Sequence, residues 1–269
     1  MEEYLYKYTT LETLALILKS RKIRLNPLSK MDDYQEAQTN DFINFSKFAF
    51  VSSWINQAKE SIAMWKLYSN LYNGVRIGLK RNPFKKYHIT KNEIEQKLPI
   101  ENILGESIDL ILPFEECFGE NYLLQNYVYE SILKKVIYTD KEEKLLPQIF
   151  KTTNNGFELA YEKLGVHKNT YWEFQNEERY ILRYFPFGIK KMIALGDRVA
   201  DYAFNSLKEN KQFFPYKELE IDNEAFSNMQ ITVAPNFTEG NMIILNALKD
   251  CYNHSLIIEE SKLTNCIVS

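Results

Sequence analysis

The chain is poor in the residues on which most recognisable chemistry is built. It has three cysteines, three histidines and nine glycines in 269 residues. Cys117, Cys251 and Cys266 form no C-x-x-C pair, and a sparse, odd count predicts a reducing compartment with buried thiols serving as small apolar residues. His88, His167 and His254 fall in no H-E-x-x-H or Cys/His cluster, so no metal site is expected. The glycines include neither a P-loop nor a G-x-G-x-x-G, which argues against the Walker and Rossmann phosphate cradles. No apolar run approaches the 18 residues of a membrane span. The acidic, polar start MEEYLYKYTT predicts no secretory signal, and together these absences predict a cytoplasmic protein without a membrane partner. There is no basic excess either: 33 Lys and Arg stand against 36 Asp and Glu, a net charge of −3. A protein devoted to gripping nucleic-acid phosphates usually carries one.

What the chain does have is apolar material. Hydrophobic residues make up 45%, aromatic 14% and charged 26%, a composition sufficient for one sizeable core. Residues 4–8 read as a strand. T-x-x-E from Thr9 to Glu12 has the spacing of a capping box, and Leu11, Leu14, Ala15 and Leu18 continue it as a helix over 10–20. Further strands are expected at 23–26, 48–54, 75–79, 178–185, 190–195, 229–235 and 254–260, with helices at 63–68 and from an Asn241 cap to Cys251. The segment 90–165 is rich in Glu, Lys, Leu and Ile. The spacing of Tyr129, Ile132, Leu133, Val136 and Ile137 predicts a helical insertion there. The fold class is therefore α+β, a single domain over 1–269 with a mixed-sheet core from 1–89 and 166–269.

Four constellations could carry chemistry. Gln175-x-Glu177, followed by Arg179, puts an amide and a carboxylate on one face of an extended segment, where they could hold a ribose beside an acceptor. The bland alternative is a surface ion pair between Glu177 and Arg179. Ser52 and Ser53 end a β run and could orient a ligand or carboxylate, or simply satisfy a turn. Asp32, Asp33 and Glu36 lie in a polar loop, as a carboxylate trio for a metal or as a solvated cap for the next helix. Trp65, Tyr68 and Tyr72 have the spacing of an inward helical stripe, one ring of which could face a flat ligand. Tyr6 and Tyr8 share one face of the first strand and Lys7 the other.

The order and spacing of LYKYTTLETLALILKSRKIRL (5–25), SKMDDYQEA (29–37), VSSW, MWKLYSNLYNGVRIGL (64–79), WEFQNEERYIL (172–182), IKKMIALG (189–196) and ITVAPNF (231–237) resemble a bacterial domain family that includes AbiGi-type abortive-infection proteins. The loop differs from the family's N-D-P-x-E but keeps Asp33 and Glu36, and Gln175 replaces the first glutamate of W-x-x-E-x-E-x-R. More distantly, the layout is similar to ADP-ribosyltransferases, DarT-like toxins among them. That resemblance implies an ADP-ribosyltransferase-like fold and NAD as substrate. Glu177 would be the catalytic carboxylate and Gln175 would position the acceptor. Ser52 or Ser53 would orient Glu177 or the ribose, Tyr8 or Trp65 would stack on nicotinamide, and Lys7, where the enzymes carry His or Arg, would meet a phosphate. It further implies an anti-phage effector or toxin with a protein or nucleic-acid acceptor and a possible antitoxin or defence-system partner. The alternatives are a non-catalytic ligand- or partner-binding module on the same fold, and a nuclease using Asp33, Glu36 and a metal.

Overall fold

Thr10 is the point at which the first strand turns into the first helix. In the computed structural model, which describes residues 4–98, 105–154 and 156–266, strand β1 is Tyr4–Thr10 and helix α1 is Leu11–Ser20. The Thr10 side chain accepts from the Thr13 N–H at 3.3 Å, so the cap falls one residue later than the T-x-x-E spacing suggests. Leu11, Leu14, Ile17 and Leu18 are buried beneath α1, each such side chain worth about 1.5–3 kcal/mol of transfer free energy. Arg21 ends the helix in the left-handed region and the chain reverses into β2, Lys22–Pro27.

β1 pairs along its whole length with β4, Gly74–Lys80. On its other edge it meets β3, Ala49–Ile55, at a single pair, Tyr6 with Ile55. β3 gives the same edge to β2 through Val51 and Phe50. The sheet therefore forks: β1 and β2, joined by α1, diverge from β3, and Ser52, Ser53 and Trp54 lie at the apex. The opposite edge of β3 is paired from Ala49 to Ile55 with the long strand Glu177–Phe185. Strand Gln230–Val233 extends the sheet from β4 and strand Ile257–Glu259 follows it in parallel.

The Glu177–Phe185 strand is buried on both faces, which explains why it reads as an unbroken run rather than an alternation. Tyr180, Leu182 and Tyr184 join a core with Leu14, Phe50, Trp54 and Ile77. Ile181 joins a second core with Val51, Phe45, Tyr161 and Leu207. Glu177, Arg179 and Arg183 share that second face by strand alternation, and both arginines are buried there.

Several expectations are corrected. The segment 90–165 is not a helical insertion. Its described residues hold only short helices, Lys91–Lys97, Phe114–Cys117 and Glu142–Leu145, among strands such as Ser107–Leu110, Phe150–Thr153 and Gly156–Leu159. Tyr129 to Ile137 is a 3-10 turn running into Leu133–Lys135, which pairs with Glu178–Tyr180. A neighbouring edge open to pairing overrides helical spacing over so short a run. Residues 190–195, expected as a strand, lie in helix Ile189–Leu195 between Gly188 and Gly196; a run with only four apolar residues has no decisive period. Thr238, not Asn241, caps the last helix, Glu239–Tyr252. Of the cysteines only Cys117 is buried, its thiol pushed up to about 12 by desolvation, while Cys251 and Cys266 are exposed.

Candidate active site

A cleft of about 520 Å³ occupies the fork between β1 and β2/β3. Lys7 and Tyr8 of β1, Ser52 and Ser53 of β3, and Gln175 and Glu177 all line it, so residues far apart in sequence meet at one place. That volume is in the range of small-molecule sites, which are usually concave and carry a few convergent polar groups.

Its inner wall is a buried charge network. Arg179, 1% exposed, donates from Nε to Glu177 Oε1 at 2.5 Å and from Nη2 to Glu177 Oε2 at 3.0 Å. The same guanidinium grips Glu36, from Nη1 to Oε2 and from Nη2 to Oε1 at 3.0 Å. Its Nη1 also donates to the Gly165 carbonyl at 3.2 Å. Gly165 has φ +73°, a backbone conformation that glycine adopts without steric cost. Lys168, 2% exposed, stands among Gln175 Oε1 at 2.7 Å, Glu36 Oε1 at 3.0 Å and Glu177 Oε2 at 3.2 Å. Two cations thus balance two carboxylates out of water. Arg179 is therefore no surface pair, and Glu36 is no solvated loop residue.

Glu177 remains ionised. Burial pushes its pKa up, but the charges of Arg179 and Lys168 reverse that, helped by hydrogen bonds from Arg179 and the Ser53 hydroxyl, and hold it at about 2. Gln175 reaches the cluster by a different route from the one expected. It closes the 3-10 turn Thr170–Gln175, and Asn176, at φ +43°, steps through the left-handed region before the strand begins. Gln175 and Glu177 are therefore not on one extended face; they converge because both bind Lys168. The Gln175 amide nitrogen donates to the Tyr68 hydroxyl, which in turn donates to Asp32 Oδ2. Desolvation, the hydrogen bond to Asp32 and the surrounding carboxylates raise the Tyr68 pKa far above its ordinary value, so the phenol keeps its proton.

Lys7 donates from Nζ to the Ser53 carbonyl at 3.1 Å and sits 5.8 Å from the Trp54 ring centre. Burial lowers its pKa to about 8, with Glu177 opposing. Ser52 accepts from Trp54 Nε1 at 3.1 Å, leaving Ser53 as the serine that serves Glu177. Tyr8 borders the cleft, its hydroxyl accepting from the Ser61 N–H at 3.0 Å. Trp65 does not. It is fully buried behind Tyr8, edge-on at 4.8 Å, and its indole donates to Glu60 at 2.9 Å. The expected stripe also breaks there: α2, Ile62–Tyr68, ends before Tyr72, which is 46% exposed.

Lys168, Tyr68, Asp32 and Glu36 complete the site. Sequence reading missed Lys168 altogether, since a lone lysine in VHKNTYW carries no pattern; Tyr68, Asp32 and Glu36 were visible only as a helix stripe and a polar loop. Asp33 caps the turn Tyr34–Ala37 by accepting from the Gln35 N–H at 2.9 Å, while Glu36 is saturated by Arg179 and Lys168. Among the described residues no group of three or more His, Cys, Asp or Glu is arranged to hold a metal ion. No helix among the described residues is long and apolar enough to cross a membrane. No family model, curated protein or solved structure matches the chain.

Proposed function

We propose that the fork cleft binds NAD and transfers its ADP-ribosyl group to an acceptor. The observation that carries this is the convergence of Lys7, Ser53, Gln175 and an ionised Glu177 on one cleft. As nicotinamide departs from C1′, positive charge develops on the ribose. Glu177 accepts a hydrogen bond from the ribose 2′-hydroxyl and stabilises that charge, while Ser53 and Lys168 keep the carboxylate fixed. Lys7 meets a phosphate oxygen as a charged donor. Tyr8 offers a ring wall to the nicotinamide. Gln175, with its oxygen on Lys168 and its nitrogen on Tyr68, braces the acceptor side. The motif resemblance to abortive-infection domains supports an effector role in anti-phage defence.

The deciding experiment is nicotinamide release from NAD by wild-type protein and by Glu177→Gln, alone and with cell extract, with NAD binding measured calorimetrically on both. Release should fall by about 10²- to 10³-fold in the variant while NAD binding persists. Equal release would exclude Glu177 from the chemistry.

A second reading, a non-catalytic nucleotide-binding module, is favoured by one observation: both oxygens of Glu177 are already held by Arg179, and one also by Lys168. NAD binding without nicotinamide release by well-folded wild-type protein would select it.

A further inference from the structure

Two lysines meet at the inner end of the fork cleft, and they are held in different ways. Lys168 is committed to carboxylates, with Glu36 at 3.0 Å, Glu177 at 3.2 Å and Asp32 at 3.8 Å from its Nζ. Lys7 lines the same cleft half-buried, and its hydrogen-bond acceptor is the Ser53 carbonyl at 3.1 Å. It forms no ion pair among the described residues, and Glu177, whose charge it feels, is already held by Arg179 and Lys168. Desolvation, in a setting that includes the Trp54 ring 5.8 Å away, brings the Lys7 pKa down to about 8. At pH 7.5 roughly a quarter of the amine therefore carries a free lone pair. A neutral amine in a concave site is a nucleophile towards carbonyl carbon. The rest of the lining selects among carbonyl compounds. Five cationic side chains line the cleft against the carboxylates of Asp32, Glu177 and Glu218. Each carboxylate is engaged, Asp32 by Tyr68, Glu177 by Arg179 and Lys168, and Glu218 by Arg24 at 3.0 Å. Lys22 and Lys30, both exposed, form no ion pair among the described residues, so the surplus charge of the lining is positive.

We infer that Lys7 is a carbonyl-reactive lysine and that the fork cleft takes a small phosphorylated aldehyde, held as an imine on Nζ. The inference goes beyond the NAD reading and does not depend on it: a protonated Lys7 meets a phosphate, whereas a neutral one adds to a carbonyl. In the addition the Nζ lone pair forms the C–N bond as the C=O π pair moves to oxygen. A proton passes from nitrogen to oxygen, giving a carbinolamine. The C–OH bond then breaks, the second N–H proton leaves with the hydroxyl as water, and a C=N bond remains. Amine and aldehyde become imine and water, with nothing oxidised or reduced. The phosphate lies towards Lys22 and Lys30, the two lining cations without a carboxylate, where charge-assisted hydrogen bonds hold it.

The test is labelling of the full chain with pyridoxal 5′-phosphate and, in parallel, with pyridoxal, which lacks the phosphate. Adducts are trapped with borohydride and mapped by peptide mass spectrometry. At pH 7.5 the phosphorylated aldehyde should modify Lys7 at least about tenfold faster than the exposed lysines Lys19 and Lys211. It should also react with Lys7 about tenfold faster than pyridoxal does. The double variant Lys22→Gln with Lys30→Gln, changed at exposed positions that leave the cores intact, should lose that preference and keep the reaction of Lys7 with pyridoxal. Modification of Lys7 no faster than of Lys19 would overturn the proposal, as would equal rates with the two aldehydes on wild type. NAD is added to a further set of samples, with nicotinamide release followed, to separate the two readings. Fast labelling that NAD suppresses would uphold both. Fast labelling untouched by NAD and without release would uphold the imine site and end the NAD reading; release with Lys7 no more reactive than Lys19 would do the reverse.

Discussion

Two sets of ion pairs in this protein use the same chemistry under opposite conditions. At the cleft wall, Glu36, Lys168, Glu177 and Arg179 are nearly excluded from water. At the sheet margins, Arg24 with Glu218 at 3.0 Å, Lys85 with Glu220 at 3.2 Å and Lys86 with Asp109 at 3.2 Å are open to solvent. The distances barely differ, but the reference states do. An exposed pair that is broken returns both partners to water and costs little. Breaking a buried pair strands a charge where no solvent can reach it.

The largest expected difference follows from Arg179→Met. It leaves Glu36 and Glu177 with Lys168 as their remaining ionic partner, and should destabilise the fold by about 3–5 kcal/mol in urea or guanidinium unfolding. A loss under about 1 kcal/mol would mean that water reaches the network, and the contrast with the margins would disappear. Next comes the acid limb of stability. Folding lowers the pKa of Glu177 from 4.5 to about 2, so its ionised form favours the folded state. That contribution is complete above about pH 4.5 and is lost as pH falls towards 2. Glu177→Gln should flatten this part of the stability–pH curve, whereas Glu218→Gln, at the margin, should leave it in place.

Lys7 makes the comparison sharper within the cleft, because it is a half-buried cation with a backbone carbonyl rather than a carboxylate as its hydrogen-bond partner. Its pKa near 8 makes its charge conditional. Affinity for NAD, or for ADP-ribose as a stand-in, should weaken by about tenfold as pH rises through 8, a change of roughly 1.5 kcal/mol. Lys7→Arg should abolish that dependence. Folding stability responds with the opposite sign: between pH 8 and 10.5 the unfolded chain binds the extra proton, so raising pH favours the native state. The smallest effect is expected from Arg24→Ala, whose side chain is 49% exposed. Its loss should change stability by no more than about 0.5–1 kcal/mol, and less at high salt.

The contrast also explains what the sequence could and could not disclose. Elements governed by local chemistry were legible: α1 through its apolar spacing, β4 through alternation after Asn73-Gly74, and the α+β class through their sum. The candidate site was half legible. Lys7, Tyr8, Ser53, Gln175 and Glu177 could be named because they sit in or beside recognisable runs. Lys168 could not, and Glu36 was visible only as a loop carboxylate, because both join the cluster only through tertiary approach. Arg179 was visible as an ion-pair partner of Glu177, but its depth was not, since Glu36 and Gly165 reach it only through the fold. Trp65 failed for a related reason: a period of 3.6 residues reports which side of a helix is apolar, not what lies beyond it.

The lone rung between Tyr6 and Ile55 has a mechanical meaning. β1 is bound to β4 by seven residue pairs and β3 to its long neighbour by another seven, so each arm of the fork is stiff. Compliance is concentrated where they touch. Opening the mouth would strain that rung and the Lys7 to Ser53 hydrogen bond while leaving both ladders whole, so resistance to opening is set beside the carboxylate.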